Sequence, residues 1–490
     1  MILRPRTALT LASLLLSACG GGAEGAEPAS PHASTPPSLA PFELRDTLAA
    51  CPAPAEASDD DAEVDEAARA EAEGLAILVT SDAGMLQVAR DDVARLGDDA
   101  TAALVALARD GGRPDRERAS ALDLIDLASE RGADGLLSLA SDAEPGWMRA
   151  RAAWRLAEDG PDRLLPALVL RLKYERDHET VVWLAVALAR HGNLAGLDGL
   201  IAIAGNAQSP AQSSAQRELS ALLARFGQES ATDLWRAWRR PADERDFAPP
   251  ARSPALRAAL CGWVARLNEF QLRGVDDARF LLQRMDVAAV DVLGEALHDR
   301  DVYVRVHAAQ CLQRMGRRAA GAGAELLAAL GDPELAPHAA VALGQVDHGP
   351  AAEVLADLLH PDTAPGLRLA CARALGYLSV LSPRRAAAVL SPLLDAEPAE
   401  LAQAAAESLV RADPDAEEVA LRLTVWLEDE RVDPASSERA LRDWLYARDA
   451  GDLLARWDAL APPGRAAEEP SATRARRAAR AELVRAHLAR

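Results

Sequence analysis

The sequence predicts an all-α fold, an α-α superhelix in which helical hairpins stack as a solenoid behind a disordered N-terminal tether. Three observations carry this. From about Met85, apolar residues recur at the spacing of amphipathic helices, and no stretch alternates polar and apolar residues long enough to argue for a sheet. One frame of apolar and small residues returns at intervals of 31 to 35 residues. Glycines and prolines fall where each returning unit should turn or stop.

Composition sets the outer limits. The chain has 490 residues, only 4% of them aromatic, and alanine makes up more than a fifth. Alanine is the strongest helix former. Formal net charge is −21, and removing a leader that contains Arg4 and Arg6 takes it to −23. So acidic a surface repels phosphate backbones, which argues against nucleic-acid binding by the chain as a whole. Lys173 is the only lysine among 54 basic residues.

Residues 1–18 read as a secretory leader. Arg4 and Arg6 supply the positive end, and Thr7 to Leu16 supply an apolar core too short to span a bilayer. The tetrapeptide Leu16-Ser17-Ala18-Cys19 resembles the bacterial lipobox. The resemblance implies cleavage between Ala18 and Cys19, lipidation of the Cys19 thiol and acylation of the new amino group. One myristoyl chain binds a membrane only marginally, so three acyl chains make a lasting anchor. Gly20, where an aspartate would retain the protein at the inner membrane, implies by the same resemblance the outer membrane of a Gram-negative cell. Residues 19–62 are too rich in Gly, Ala, Ser and Pro to build a core and form the tether. Phe42 to Ala50 is a short helical candidate within it, and Asp59-Asp60-Asp61 is a solvated spacer or helix start.

The clearest repeat unit runs from Val290 to Gly316, VDVLGEALHDRDVYVRVHAAQCLQRMG. An apolar helix, a charged turn and a second helix with Val304, Ala308, Ala309 and Leu312 follow one another. The segment resembles a HEAT repeat of the subtype named after phycobilisome lyases, which implies stacked copies and a solenoid. Taking Leu312 as the reference, small residues belong three and four places earlier and an apolar residue eight places earlier. Leu343, Leu375 and Leu409 repeat this downstream; upstream, Leu156 repeats it in full and Leu124, Leu188 and Leu223 in part. Gly132, Gly160, Gly192, Gly227, Gly316, Gly344 and Gly376 are expected to cap second helices. Arg149 and Arg305, seven places before Leu156 and Leu312, are expected to make turn–helix contacts. The frame divides the chain into half-arrays at 63–227 and 286–448.

Residues 228–285 break the period. Helices are expected near Ser230–Arg239 and Pro254–Glu269, joined by the loop PADERDFAPPARSP. Large aromatics concentrate here. A packing plug between the half-arrays accounts for them. The alternative is a binding pocket bordered by the loop, with Trp235, Trp238, Phe247 and Trp263 as its contacts. Residues 449–490 hold a cap, a Pro462-Pro463-Gly464 hinge and a final helix with six arginines, expected to dock back on this acidic chain or stay solvated.

No catalytic constellation emerges. GxSxG, HExxH, P-loop and strand-led GxGxxG patterns are missing from the sequence. No CxxC occurs. Cys311 and Cys371 lie two repeats apart, beyond disulfide reach for helices stacked about 10 Å apart, so buried free thiols are expected. Asp177-His178-Glu179 is the densest group of metal-ligand types, but helix capping explains the acids. No metal or cofactor is implied, and no small-molecule substrate. No catalytic residue of a bilin lyase maps onto the chain. The expected function is a membrane-anchored, non-catalytic scaffold that binds a protein partner in the cell envelope. Its rivals are an enzyme or enzyme subunit with a site in 228–285, and a purely structural envelope component.

Overall fold

In the computed structural model, residues 1–36 and 37–490 form two units. The described residues, all in the second, are 42–44, 66–143, 145–240, 244, 253–269, 272–285, 287–413, 415–427, 433–448, 451–460 and 470–488. Among them all regular elements are helices, and the chain is an all-α solenoid of HEAT-like hairpins.

Helices α1 (Glu66–Ser81) and α2 (Leu86–Leu96) open the array. Three hairpins follow: α3 (Asp98–Arg109) with α4 (Asp115–Leu124), α5 (Glu130–Asp142) with α6 (Gly146–Asp159), and α7 (Leu165–Tyr174) with α8 (His178–Arg190). Next come α9 (Leu194–Ala204), α10 (Gln212–Arg225), α11 (Ala231–Trp238), α12 (Pro254–Ala265) and α13 (Leu272–Arg284). Four more hairpins continue: α14 (Val287–Ala296) with α15 (Val302–Met315), α16 (Gly323–Ala328) with α17 (Ala336–Gln345), α18 (Ala351–Asp357) with α19 (Pro365–Leu375), and α20 (Pro383–Leu390) with α21 (Ala399–Ala412). The C-terminal part holds α22 (Glu417–Trp426), α23 (Pro434–Ala447), α24 (Gly451–Ala459) and α25 (Pro470–Leu488). Second helices pack on second helices: α4 on α6, α6 on α8, and α13 on α15, α17, α19, α21 and α23 in succession.

The small-residue frame is the core of this stack. Met148, Ala152, Ala153 and Leu156 are at most 2% exposed, and Val304, Ala308, Ala309 and Leu312 are fully buried. Each buried leucine contributes about 1.5–3 kcal/mol, and the alanines let the backbones approach. At α10 the frame is off by one residue: Leu222 is buried, whereas Leu223 is partly exposed and Ser220 exposed. Among the described residues no further hairpin stacks on α10, so its outer face loses the constraint that holds the register elsewhere.

The glycines divide by physical cause. Gly192, Gly227 and Gly316 sit after α8, α10 and α15 with φ of 73°, 62° and 60°, as helix-ending residues do. Gly132 instead lies inside the first turns of α5, and Gly344 lies within α17. Gly344 is there for close approach: a Cβ would stand 2.6 Å from the Ala374 carbonyl oxygen and 2.7 Å from its Cα. At Gly376, one repeat later, a Cβ would likewise stand 2.6 Å from the Ser408 Cα. Alanine is the better helix former by about 1 kcal/mol, but a backbone clash costs about 1–3 kcal/mol. Gly344→Ala is therefore expected to destabilise α17–α19 rather than stabilise it, read as a lower urea midpoint.

Arg149 and Arg305 make the turn–helix contacts expected of them. Arg149 Nη1 donates to the Ala143 carbonyl at 3.0 Å, and Arg305 Nη1 to those of Asp299 and Arg300, both at 2.9 Å. Cys261, Cys311 and Cys371 are buried free thiols, and burial pushes Cys311 up to about 11 and Cys371 up to about 12. Phe42 to Leu44 is not helical; the Phe42 ring stacks on His298 at 4.5 Å, and the Glu43 carbonyl lies 3.0 Å from His298 Nδ1. Residues 45–50, the rest of that helical candidate, lie outside the described residues.

The broken period turns out to be a joint. Helices α12 and α13 form a hairpin that begins the second stack, α12 on α14 and α13 on α15. They pack against α7 and the turn before it, not against α10. Ser253 N donates to Asp162 Oδ2 at 2.8 Å, and Asn193 Nδ2 to the Arg284 carbonyl at 3.0 Å. Lys173 Nζ reaches Asp277 Oδ1 at 2.8 Å and lies 4.5 Å from the Phe280 ring centroid. Leu281 is 31 residues before Leu312, in period, but the site four places before it is Asp277 rather than a small residue. That small-residue site is where Lys173 is received.

Burial alone would raise the Asp277 carboxyl, but hydrogen bonds from Lys173 and Tyr174 and the charges of Lys173 and Arg273 hold it below its usual range. Burial alone would lower the Lys173 ammonium, but Asp277 and Tyr174 hold it above its usual range. The pair's contribution is thus lost as pH falls through the depressed folded pKa of Asp277, and again as pH rises through the raised folded pKa of Lys173. Lys173→Met is expected to cost about 1–2 kcal/mol at neutral pH. That difference from wild type should vanish at both extremes of a pH series of unfolding midpoints.

The C-terminal helices share a second core, in which Trp444 and Trp457 are 1% exposed. The arginine-rich α25 docks back on it, the first of the two outcomes left open by its sequence. Arg480 Nε and Nη2 donate to the Trp457 carbonyl at 3.3 and 3.1 Å, and Glu438 draws Arg476, Arg477 and Arg480 together.

Candidate functional site

Among the described residues, α6 and α8 carry a feature that packing does not consume. On α6, Trp147, Arg151 and Trp154 are spaced at i, i+4 and i+7, one face of the helix. On α8, Glu179 and Trp183 are spaced at i, i+4. These helices are neighbours in the second-helix layer, and their faces line an open groove of about 600 Å³. All three indoles are half-buried. Asp177 closes one end as the N-cap of α8, its Oδ2 accepting from Thr180 N at 2.8 Å, the capping role read from the sequence.

The electrostatics are lopsided. Arg151 is the groove's one cation, and its Nε donates to Asp123 Oδ1 on α4 at 2.9 Å while Nη2 reaches the other oxygen. Its guanidinium carbon is 5.7 Å from the Trp154 centroid. Asp177 and Glu179 remain as carboxylates. Glu179 has no ion pair or hydrogen bond among the described residues.

A second recess of about 330 Å³ gathers Arg90, Arg155 and Arg190. Here the guanidinium groups are committed to helix ends. Arg155 Nη2 donates to the Ile125 carbonyl at 3.1 Å and Arg190 Nη1 to that of Ala157 at 2.5 Å. Positive groups belong at the C-terminal carbonyls of helices, so this recess is explained by the fold.

The residues singled out in the interruption are placed differently. Trp238 is fully buried, edge-on to Phe226 at 5.2 Å, and packs rather than faces a partner. Trp235 is half-buried, with its Nε1 donating to Asp198 at 2.9 Å and Arg239 4.4 Å over its ring. Trp263 is half-buried under Arg266 at 4.5 Å. Phe247, like Ala18 and Cys19, lies outside the described residues.

Sequence reasoning passed over the groove because it sought aromatics only where the period fails. The signal was present in the frame. Trp147, Trp154 and Trp183 stand nine, two and five places before their reference leucines, and none of these is a core site. Large aromatics at off-core positions of regular repeats must lie at a surface. Their convergence depends on two helices 32 residues apart in sequence and adjacent only in the fold.

No protein-family model matches the chain, and no curated protein matches it. Among solved structures it is similar to human deoxyhypusine hydroxylase, at 19% identity over 65% of this chain and 98% of that one, with a TM-score of 0.23. It is also similar to an engineered protein at 19% identity, over 85% of this chain and 99% of that one, with a TM-score of 0.22. Importin beta is similar at 13% identity, over 85% of this chain and 67% of that one, with a TM-score of 0.28. Likeness at this level transfers no activity, ligand or partner to this chain.

Proposed function

We propose that the chain is a membrane-anchored repeat scaffold that binds a protein partner in the cell envelope and carries out no reaction itself. The observation that carries this is the set of three half-buried tryptophans at off-core positions of adjacent second helices. Tryptophan is over-represented among the residues that dominate protein–protein binding energy, because one side chain supplies a large rigid contact area. A stack built from repeats also presents neighbouring helices as a continuous surface. The anchor rests on Leu16-Ser17-Ala18-Cys19.

Photo-crosslinking residues placed at 147, 154 and 183 in intact cells test the binding half. Crosslinks to one protein from these positions, and none to it from exposed Val425, are expected. Silence from all three positions overturns it. The anchor half is tested by Cys19→Ser, which should move the protein from the membrane to the soluble fraction; a variant that stays with the membrane removes that half.

A further inference from the structure

We propose that the segment occupying the Trp147–Trp183 groove is basic and extended, with arginine or lysine side chains laid against the indoles. The inference rests on the scaffold reading above and names the chemistry of its partner.

The first argument is what this fold does with four of the six tryptophans outside the groove. Arg239 covers Trp235 at 4.4 Å, Arg266 covers Trp263 at 4.5 Å, Arg480 covers Trp457 at 4.9 Å, and Arg448 covers Trp444 at 5.0 Å. An indole face is electron-rich and attracts a cation, more strongly as water is excluded. Trp147 and Trp183 carry no such cover among the described residues, and they are the two that flank the groove on opposite helices. The second argument is charge. Arg151 is occupied by Asp123, which leaves Asp177 and Glu179 without a neutralising cation. A neutral apolar segment would bury Glu179 unpaired, at a cost a basic segment avoids. A phosphate-bearing ligand would meet those carboxylates with the wrong sign. The third is size. Seven residues separate Trp147 from Trp154, about 10 Å along the helix, which is the length of about three residues of extended chain. A groove of about 600 Å³ holds a short run of peptide rather than one side chain. At longer range, a chain of net charge −21 draws a basic segment toward it.

The test uses the full chain and two synthetic probes, acetyl-(Gly-Arg)4-amide and acetyl-(Gly-Gln)4-amide, titrated by tryptophan fluorescence and calorimetry at physiological salt. The arginine peptide is expected to bind at least about tenfold more tightly than the glutamine peptide, and Trp147→Ala with Trp183→Ala to weaken it about tenfold or more. Glu179→Gln keeps the side chain's size and takes the groove's net charge from −1 to 0, so it is expected to weaken binding about tenfold while the unfolding midpoint shifts little. Equal affinity for both peptides overturns the inference. So does undiminished binding of the arginine peptide to either variant, since attraction would then come from the acidic surface at large. Crosslinks from position 183 to a partner segment without lysine or arginine overturn the basic-segment inference and leave the scaffold reading intact. Absence of both crosslinks and peptide binding removes both.

Discussion

Trp238→Ala is expected to lower the stability of the α9–α11 region by about 3–5 kcal/mol, the cost of deleting a large buried aromatic. The side chain is fully buried, and the edge-on contact with Phe226 at 5.2 Å adds about 0.5–1.5 kcal/mol beyond area burial. Helix α11 has only eight residues, too few to persist without tertiary packing. Its other buried residues, Leu234 and Ala237, are small by comparison. Because repeat arrays unfold by segments, the loss should appear first as faster amide exchange over residues 212–238, with α15 to α21 unaffected. Trp183→Ala removes a half-buried ring from a groove and should cost much less. The contrast separates the two roles of tryptophan here. Trp238→Ala lowering stability without changing crosslinking at 183 fits a packing role; a loss of partner binding with stability unchanged returns Trp238 to the list of contacts.

Arg305→Met is the second large expected effect, about 3–5 kcal/mol. Arg305 is 3% exposed; its Nε lies 2.8 Å from Asp332, and Nη2 lies 3.2 Å from Glu334 in the next repeat. The same guanidinium holds the Asp299 and Arg300 carbonyls of the preceding turn. A surface ion pair would contribute about 0–1 kcal/mol, and the Glu334 contact, whose partner is mostly exposed, is of that kind. Asp332 decides the magnitude, because it is 8% exposed and would be left charged and buried. Adding Asp332→Asn should therefore recover part of the loss, since the neutral amide keeps the acceptor that Glu334 N uses at 3.0 Å. Denaturation of the two single variants and the double variant measures the coupling. A loss below about 1 kcal/mol for Arg305→Met, or no recovery in the double variant, would contradict the assignment.

The α-class, the period and the core sites were legible from residues alone, because they follow from local rules. Helical spacing shows which face is apolar, and small residues at one repeated position show where backbones meet. Met148, Ala152, Ala153 and Leu156 illustrate this: each is buried where the frame put it. For α25 the arginines left docking and solvation both open, and the structure shows docking. Local rules failed where a neighbour distant in sequence supplies the constraint. Leu223 was misplaced by one residue because no hairpin stacks beyond α10. Gly344 reads as a cap in the sequence, whereas it lies inside α17 and the backbone of the following repeat requires it; Gly376 does cap α19 and meets the same close approach. Asp277 occupies a small-residue site because Lys173, 104 residues earlier in the chain, lies against it.

What the sequence alone determined was the kind of object: hairpins that cannot bury their apolar faces singly and so must stack. Tertiary structure alone decided where the second stack joins the first, and which surface residues share a groove. The physical reason is the same for both. Period and burial are properties of one helix and its immediate neighbours, while the joint at Asp277 and the meeting of Trp147 with Trp183 depend on side chains brought together from separate helices.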